Sequence, residues 1–395
     1  PSLHHTALTA FDDRVRECLE QFGGLSLNSQ AWSQATLGVK FGGLGLRSSA
    51  LHAPAGYLAS VSASGSTCQA LDPRYQVDSS HTAAAISQFN AHAASADHLS
   101  APVPSSLRQQ VLSSALDRAK LAAVVAAADG EAARAHLQLL QQPGAGAWLH
   151  CRPAEALGLH MEPSLFRVCL QLRLRLRVAA AEAYCPLCDG VADRFGDHAR
   201  ACPCGGDRTK RHNRLRGLIA ARAAAAGLSP ELEKPGLLPP RPHDEAAGEV
   251  TGGRRPADVW LPAWGLHGPA ALDVAVTSGM RAAVLAASAA DGGHAARAYE
   301  DRKRSHQATE ARCRAEGLQF VPLVAEACGG GWGPTAVRAW KTLGGLLAAR
   351  SGEAPGAVVE QLLQALSVAL QRENARAVLR RMPGCDEPAA ALADP

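Results

Sequence analysis

The alternation of apolar and polar positions divides the chain into helical stretches, a few short apolar runs and glycine-rich breaks. Residues 12–20 carry two acidic–basic turns. Gly23-Gly24 and Gly42-Gly43-x-Gly45 follow, which predicts helix, turn, helix, with the glycines as caps and tight turns rather than a phosphate cradle. Residues 67–145 are rich in Ala, Ser, Gln and His, with short helical patterns such as 107–127. They predict a helical or partly disordered spacer without chemistry, and His81, His92 and His98 read as surface residues. Over 166–177 the pattern becomes an apolar–basic alternation. That period predicts a half-buried strand with Arg173, Arg175 and Arg177 on one face, with an arginine-lined helix as the alternative. Residues 281–315 predict a long alanine-rich helix with a break at Gly292-Gly293, and 318–326 a last strand. The tail predicts a packing helix over 358–379 and a frayed end.

Composition narrows the class. Of 395 residues 47% are hydrophobic but only 4% aromatic, and the apolar runs are mostly alanine, which favours helices with thin cores over a large β-sandwich. The length suggests two or three domains. A net charge of +4 is too mild to argue for nucleic acid by itself. No bulky apolar stretch is long enough to span a membrane, and no charged-then-apolar leader opens the sequence, which begins at Pro1. Eleven cysteines, an odd number clustered at 185–204, read as reduced thiols plus a metal site in an intracellular protein.

That cluster is Cys185, Cys188, His198 and Cys202, spaced C-x2-C-x9-H-x3-C, with Cys204 as an alternative to Cys202. A CxxC turn brings two thiolates onto one tetrahedral ion, and four soft or borderline ligands suit Zn2+ with no position left open, so the site is expected to be structural. Directly after it, Arg208, Lys210, Arg211, His212, Asn213, Arg214 and Arg216 open a helix. A basic helix fed by a zinc knuckle is a plausible phosphate grip, although taken alone the run reads equally well as a solvated helix start.

Arg254-Arg255-Pro256-Ala257-Asp258 enters one short strand, and Asp273 lies inside the apolar run 270–277. Neighbouring strands that each carry one carboxylate bring both to one sheet end, where they bind a hard cation such as Mg2+ or pair with an arginine, Arg254 or Arg255. Tyr299 and Lys303, four apart, share a face of the following helix. From 214 to 326 the expected order is helix, short strand near 248–251, strand, strand, helix, strand.

This order, with Pro256-x-Asp258 on one strand and Asp273 on the next, resembles the PD-(D/E)XK restriction-like nuclease core. The resemblance implies an α+β chain with a helical N-terminal half, a small zinc knuckle and an αβββαβ core around a mixed sheet. In that core a lysine stands two residues after the second acid, where this chain has Ala275; Lys303 is the candidate replacement, and Glu233 resembles an additional acid of some members. With the knuckle, Arg211-His212-Asn213 and the Tyr299/Lys303 helix, these pieces resemble the C-terminal region of a non-LTR retrotransposon polyprotein carrying such an endonuclease. Residues 34–60, Ala147-Trp148-Leu149 and the Arg–Leu repeat are similar to the segments that precede it.

The resemblance implies post-thumb helices at 1–66, a spacer at 67–145, a basic connector at 146–184, a knuckle at 185–213, an endonuclease at 214–345 and a C-terminal helix and tail at 346–395. It further implies catalytic Asp258, Asp273, Lys303, Tyr299 and Glu233, with Mg2+ on the two aspartates, and nucleic acid held by the basic run 208–216 together with Arg254 and Arg255. Structural Zn2+, a DNA target, element RNA as a further partner and a nuclear location complete the expectation. No Tyr-x-Asp-Asp polymerase motif occurs in the sequence. The alternative is a zinc-dependent nucleic-acid-binding remnant whose nuclease site has decayed.

Overall fold

A computed structural model describes residues 5–239, 256–265 and 268–381. Two compact units divide between Asp129 and Gly130. The first is helical: α1 (His5–Gly23), α2 (Ser29–Ala35), α3 (Ser49–Leu71), α4 (Ser79–Asn90) and α5 (Gln109–Ala126). Asn28, Ser48 and Asp78 start α2, α3 and α4 by accepting backbone N–H groups that a helix leaves unpaired at its first turn. Ala55 and Leu58 of α3 bury against Ala85, Ile86 and Phe89 of α4 and Leu112, Ala115 and Leu116 of α5. The expected boundary at 66/67 therefore runs through α3, and 79–126 is core rather than spacer, because alanine faces allow close helix packing. The glycines after α2 are turns, as expected: a Cβ at Gly43 would lie 2.0 Å from the Leu37 carbonyl oxygen.

The second unit begins with α6 (Gly130–Leu139) and α7 (Pro163–Arg173), followed by a hairpin of β1 (Ala183–Tyr184) and β2 (Val191–Ala192). The stretch expected as a strand over 166–177 is instead mostly α7. Pro163 stands in its first turn, and Leu165, Val168, Cys169 and Leu172 bury at helical spacing. Next come α8 (Asp197–Ala201) and α9 (Asp207–Ala225), then β3 (Glu231–Leu232), β4 (Val259–Leu261) and β5 (Ala270–Thr277). Three helices follow, α10 (Leu285–Ala290), α11 (His294–Ser305) and α12 (Thr309–Ala315), where the sequence suggested one helix broken once. The first break is at the expected glycines, since a Cβ on Gly292 would meet the Gln138 carbonyl oxygen at 2.2 Å. The second break is at Gln307 and Ala308, both with positive φ. The chain closes with β6 (Gln319–Glu326), α13 (Pro334–Ser351) and α14 (Pro355–Leu379).

The sheet runs β3-β4-β5-β6; the first two pairings are antiparallel and β5–β6 is parallel. The α+β class expected from the sequence is thus present, with a small mixed sheet. The strand expected near 248–251 lies outside the described residues, and the outer strand seen is β3. Side chains alternate across the sheet. Leu272 and Val274 of β5, with Val321 and Leu323 of β6, face Leu215 and Ile219 of α9, Trp340 of α13 and Leu366 of α14. Ala271, Asp273 and Ala275 face the other way, toward α11 and α12. Because α14 completes the main core, the expected separation of 346–395 from the domain does not hold at the level of packing. Among the described residues no helix is long and apolar enough to cross a membrane.

Candidate active site and metal centre

Cys185 and Cys188 lie on the tight turn of the β1–β2 hairpin, closed by the Cys185 N–H donating to the Gly190 carbonyl at 2.8 Å. His198 and Cys202 come from α8, whose start is fixed by Asp193 accepting from the N–H groups of Phe195, Asp197 and His198. Gly190 leaves the space the imidazole needs, since a Cβ there would lie 2.7 Å from His198 Cε1. The result is a Cys3His group whose ligand atoms all lie within 4.8 Å of one another, a set that could hold a metal ion. Cys202, not the exposed Cys204, joins it. The Gly190 N–H favours the Cys188 thiolate, but burial and the crowding thiols of Cys202 and Cys185 push Cys188 up to about 11. Three thiols and an imidazole this close together fit a tetrahedral cation such as Zn2+, which would relieve that crowding by binding thiolates.

The carboxylates meet at the end of β4. Val259 is the last residue of β4 that pairs with β5, opposite Leu272; just before it the regular ladder ends, the Asp258 N–H donates to the same Leu272 carbonyl at 2.9 Å, and the Asp258 carboxylate comes beside that of Asp273. Two carboxylates this close repel, so the pair needs compensation. It comes from both faces. His212 of α9 places Nε2 at 3.1 Å from Asp258 Oδ1, while the Val274 N–H donates to Oδ2 at 2.7 Å. Lys303 of α11 reaches Asp273 at 3.0 Å. Burial, partly offset by Lys303 and reinforced by Asp258, pushes Asp273 up to about 6. The hydrogen bond to Asp258, opposed by burial, raises His212. Burial works against the charge on Lys303, but Asp273 prevails and raises it. Tyr299 packs beside this pair over Ala275 and Val324. Glu233 donates its N–H to the Asp258 carbonyl at 3.1 Å and its carboxylate pairs with Arg216.

The two aspartates, Lys303, Tyr299 and Glu233 thus gather around one sheet end. The basic residues do not act alike. Arg208, Lys210, Asn213 and Arg214 are exposed. Arg216 is committed to Glu233 and His212 to Asp258. Arg211 is buried, donating to the Arg200 carbonyl at 3.0 Å and to Asn374 Oδ1 at 2.7 Å, so it fastens α8 and α9 to α14 and is not available to a phosphate. Arg254 and Arg255 lie outside the described residues.

Sequence reasoning missed His212 as the partner of Asp258, and it missed Asn374 and Arg381 as anchors. Arg381 is buried and pairs with Asp207, the first residue of α9, at 2.6 Å. One signal was present: Asp207, Arg211, Leu215 and Ile219 recur every four residues, which puts the first two on the buried stripe with the leucine. No family model and no curated protein matches this chain.

Proposed function

We propose that the second unit is a metal-dependent DNA endonuclease of the PD-(D/E)XK type, within the C-terminal region of a non-LTR retrotransposon protein. The observation that carries this reading is the pair Asp258, just before β4, and Asp273 on β5, whose carboxylates lie close enough to interact, with the Lys303 amine at 3.0 Å from Asp273. The two carboxylates offer hard oxygens, the chemistry that Mg2+ takes, and Mg2+ on both would orient a water and offset phosphodiester charge. Lys303 is held within one side chain of the pair and would stabilise the charge that builds on the phosphate. His212 and the Val274 N–H each engage one oxygen of Asp258, which would hold its rotamer when a metal binds. Arg208 lies one turn before His212 and is suited to the flanking backbone phosphate.

The Cys3His group is read as a structural zinc site: its ligand set is complete at four, and it sits at the start of the helix that carries His212. In this reading the enzyme nicks one strand of a target DNA in the nucleus, and the new 3′ hydroxyl primes copying of the element's RNA by a polymerase that this sequence does not contain. Purified protein with Mg2+ should convert supercoiled plasmid to open circles, and Asp273→Ala should abolish the conversion. Equal nicking by the variant overturns the assignment.

A second reading is favoured by one observation: Ala275 stands where the motif lysine is expected. If wild-type protein binds DNA but never nicks it with Mg2+ or Mn2+, the chain is a zinc-braced nucleic-acid binder with a decayed site.

A further inference from the structure

Helices α13 and α14 form a hairpin that is tight at one level and open at the next. A Cβ on Gly344 of α13 would meet Val359 Cγ2 of α14 at 2.3 Å, so the two helices touch there. Toward the bend at Gly352, Leu347 and Arg350 of α13 face Val358 and Leu362 of α14 across a cleft of about 350 Å3, bounded on its third side by Arg222 and Ala225 of α9. That volume falls in the range of small-molecule sites. Leu362 belongs to the main core, and Leu347 and Val358 extend its apolar surface into the cleft. Arg350 lies across the end of α9, where a Cβ on Gly227 would be 2.7 Å from its Nη1. Neither the Arg222 nor the Arg350 guanidinium has a hydrogen bond or ion pair among the described residues. Glu353, the acid of the lining, already accepts from Gln361 Nε2 at 3.1 Å. Arg222 is ten residues beyond His212, about 15 Å along α9, so the cleft stands apart from the carboxylates.

We propose that this cleft binds a small monocarboxylate with an aliphatic or aromatic body, its carboxylate held by Arg222 and Arg350 and its body laid on Leu347, Val358 and Leu362. Planar guanidinium forks match the geometry of a carboxylate, and a pair sheltered by apolar walls is screened less than one in open water. Two cations against one acid leave a single positive charge in the lining, and Glu353 repels a second anionic group, which favours a monoanion over a phosphate. The apolar wall gains from being covered, so a head group without a body forfeits that part of the affinity. The site goes beyond the proposed function and needs neither metal nor cleavage.

The test is calorimetric titration of the full chain with octanoate and 3-phenylpropionate, with octanamide as an uncharged body and acetate as a head without one. At least one of the two acids should saturate at one per chain, with octanamide and acetate each weaker by about tenfold or more. Arg222→Gln/Arg350→Gln should weaken the tighter acid by about tenfold or more, the loss of a charge-assisted hydrogen bond. Ala225→Phe fills the cleft from its exposed edge while keeping both arginines, and should cost a similar factor. Arg312→Gln/Arg314→Gln, the same charge removed from an exposed face of α12, should bind as wild type does. Saturation by neither acid, equal affinity for octanamide, wild-type affinity in either cleft variant, or an equal loss in the α12 variant overturns the proposal. Nicking takes no part in this readout, so a protein that binds the acid but never nicks plasmid overturns the endonuclease reading alone.

Discussion

Arg211→Met separates a structural arginine from a phosphate-gripping one. In the folded protein the guanidinium is 5% exposed and donates from one nitrogen to the Arg200 carbonyl and Asn374 Oδ1. Removing it leaves two buried acceptors, each costing on the order of 1–3 kcal/mol when unpaired. Part of that is returned. Burial lowers the Arg211 guanidinium to about 10, with Arg200 and Arg208 repelling it, and its Nε has no hydrogen-bond partner. Methionine ends both penalties while keeping much of the volume. The net loss is then about 2–3 kcal/mol, or roughly 5–10 °C in Tm for a unit of this size. Thermal and urea melts followed by circular dichroism measure it, with Arg214→Met as the exposed control, expected within about 0.5 kcal/mol of wild type. If Arg211→Met melts like wild type and instead weakens DNA binding, the anchoring role assigned to Arg211 is wrong.

Three further outcomes are expected. Cys188→Ser should lose stoichiometric zinc by metal analysis and melt earlier than wild type; identical melting of the two proteins with and without chelator counts against a structural ion. Asp273, pushed up to about 6, must shed its proton to bind a divalent ion, so nicking should climb as pH rises through about 6, and Asp258→Asn should move any residual limb lower. The same shift means that the metal-free fold holds that proton more tightly than the unfolded chain, so its contribution to stability is present at low pH and declines as pH rises from about 4 to about 6. Stability that instead rises across this window in wild type relative to Asp273→Asn contradicts it. Lys303→Met should lower the nicking rate by about 100-fold or more without changing the zinc content.

What the sequence made legible follows from the range of each signal. The Cys3His spacing is a local constraint, so the group that could hold a metal ion was readable, and the choice between Cys202 and Cys204 needed coordinates. The two aspartates were readable because a charge inside an apolar strand is costly without a partner. The strand expected over 166–177 failed because Leu-Arg alternation over few residues also fits an arginine-lined helix, and tertiary burial of Leu165, Val168 and Leu172 decided for α7. The boundary at 66/67 failed for a related reason: low-complexity alanine reads as a spacer, yet Ala55, Ala85 and Ala115 are what let α3, α4 and α5 approach. Arg211 looked like its neighbours because charge says nothing of which helix face is covered until α14, more than a hundred residues later, packs against it.

The lysine problem is also one of packing. On β5, Asp273 and Ala275 point to the same face about 7 Å apart. On α11, Lys303 and Tyr299 share a face about 6 Å apart. The two spacings match, so the helix lies on the strand with Lys303 over Asp273 and Tyr299 over Ala275. A lysine at 275 would have to displace the tyrosine, since Ala275 is only 6% exposed beneath that helix. An alanine on the strand and a lysine on the helix are therefore two halves of one arrangement. Only the register of helix on strand, which no local pattern encodes, brings the amine back to the carboxylate.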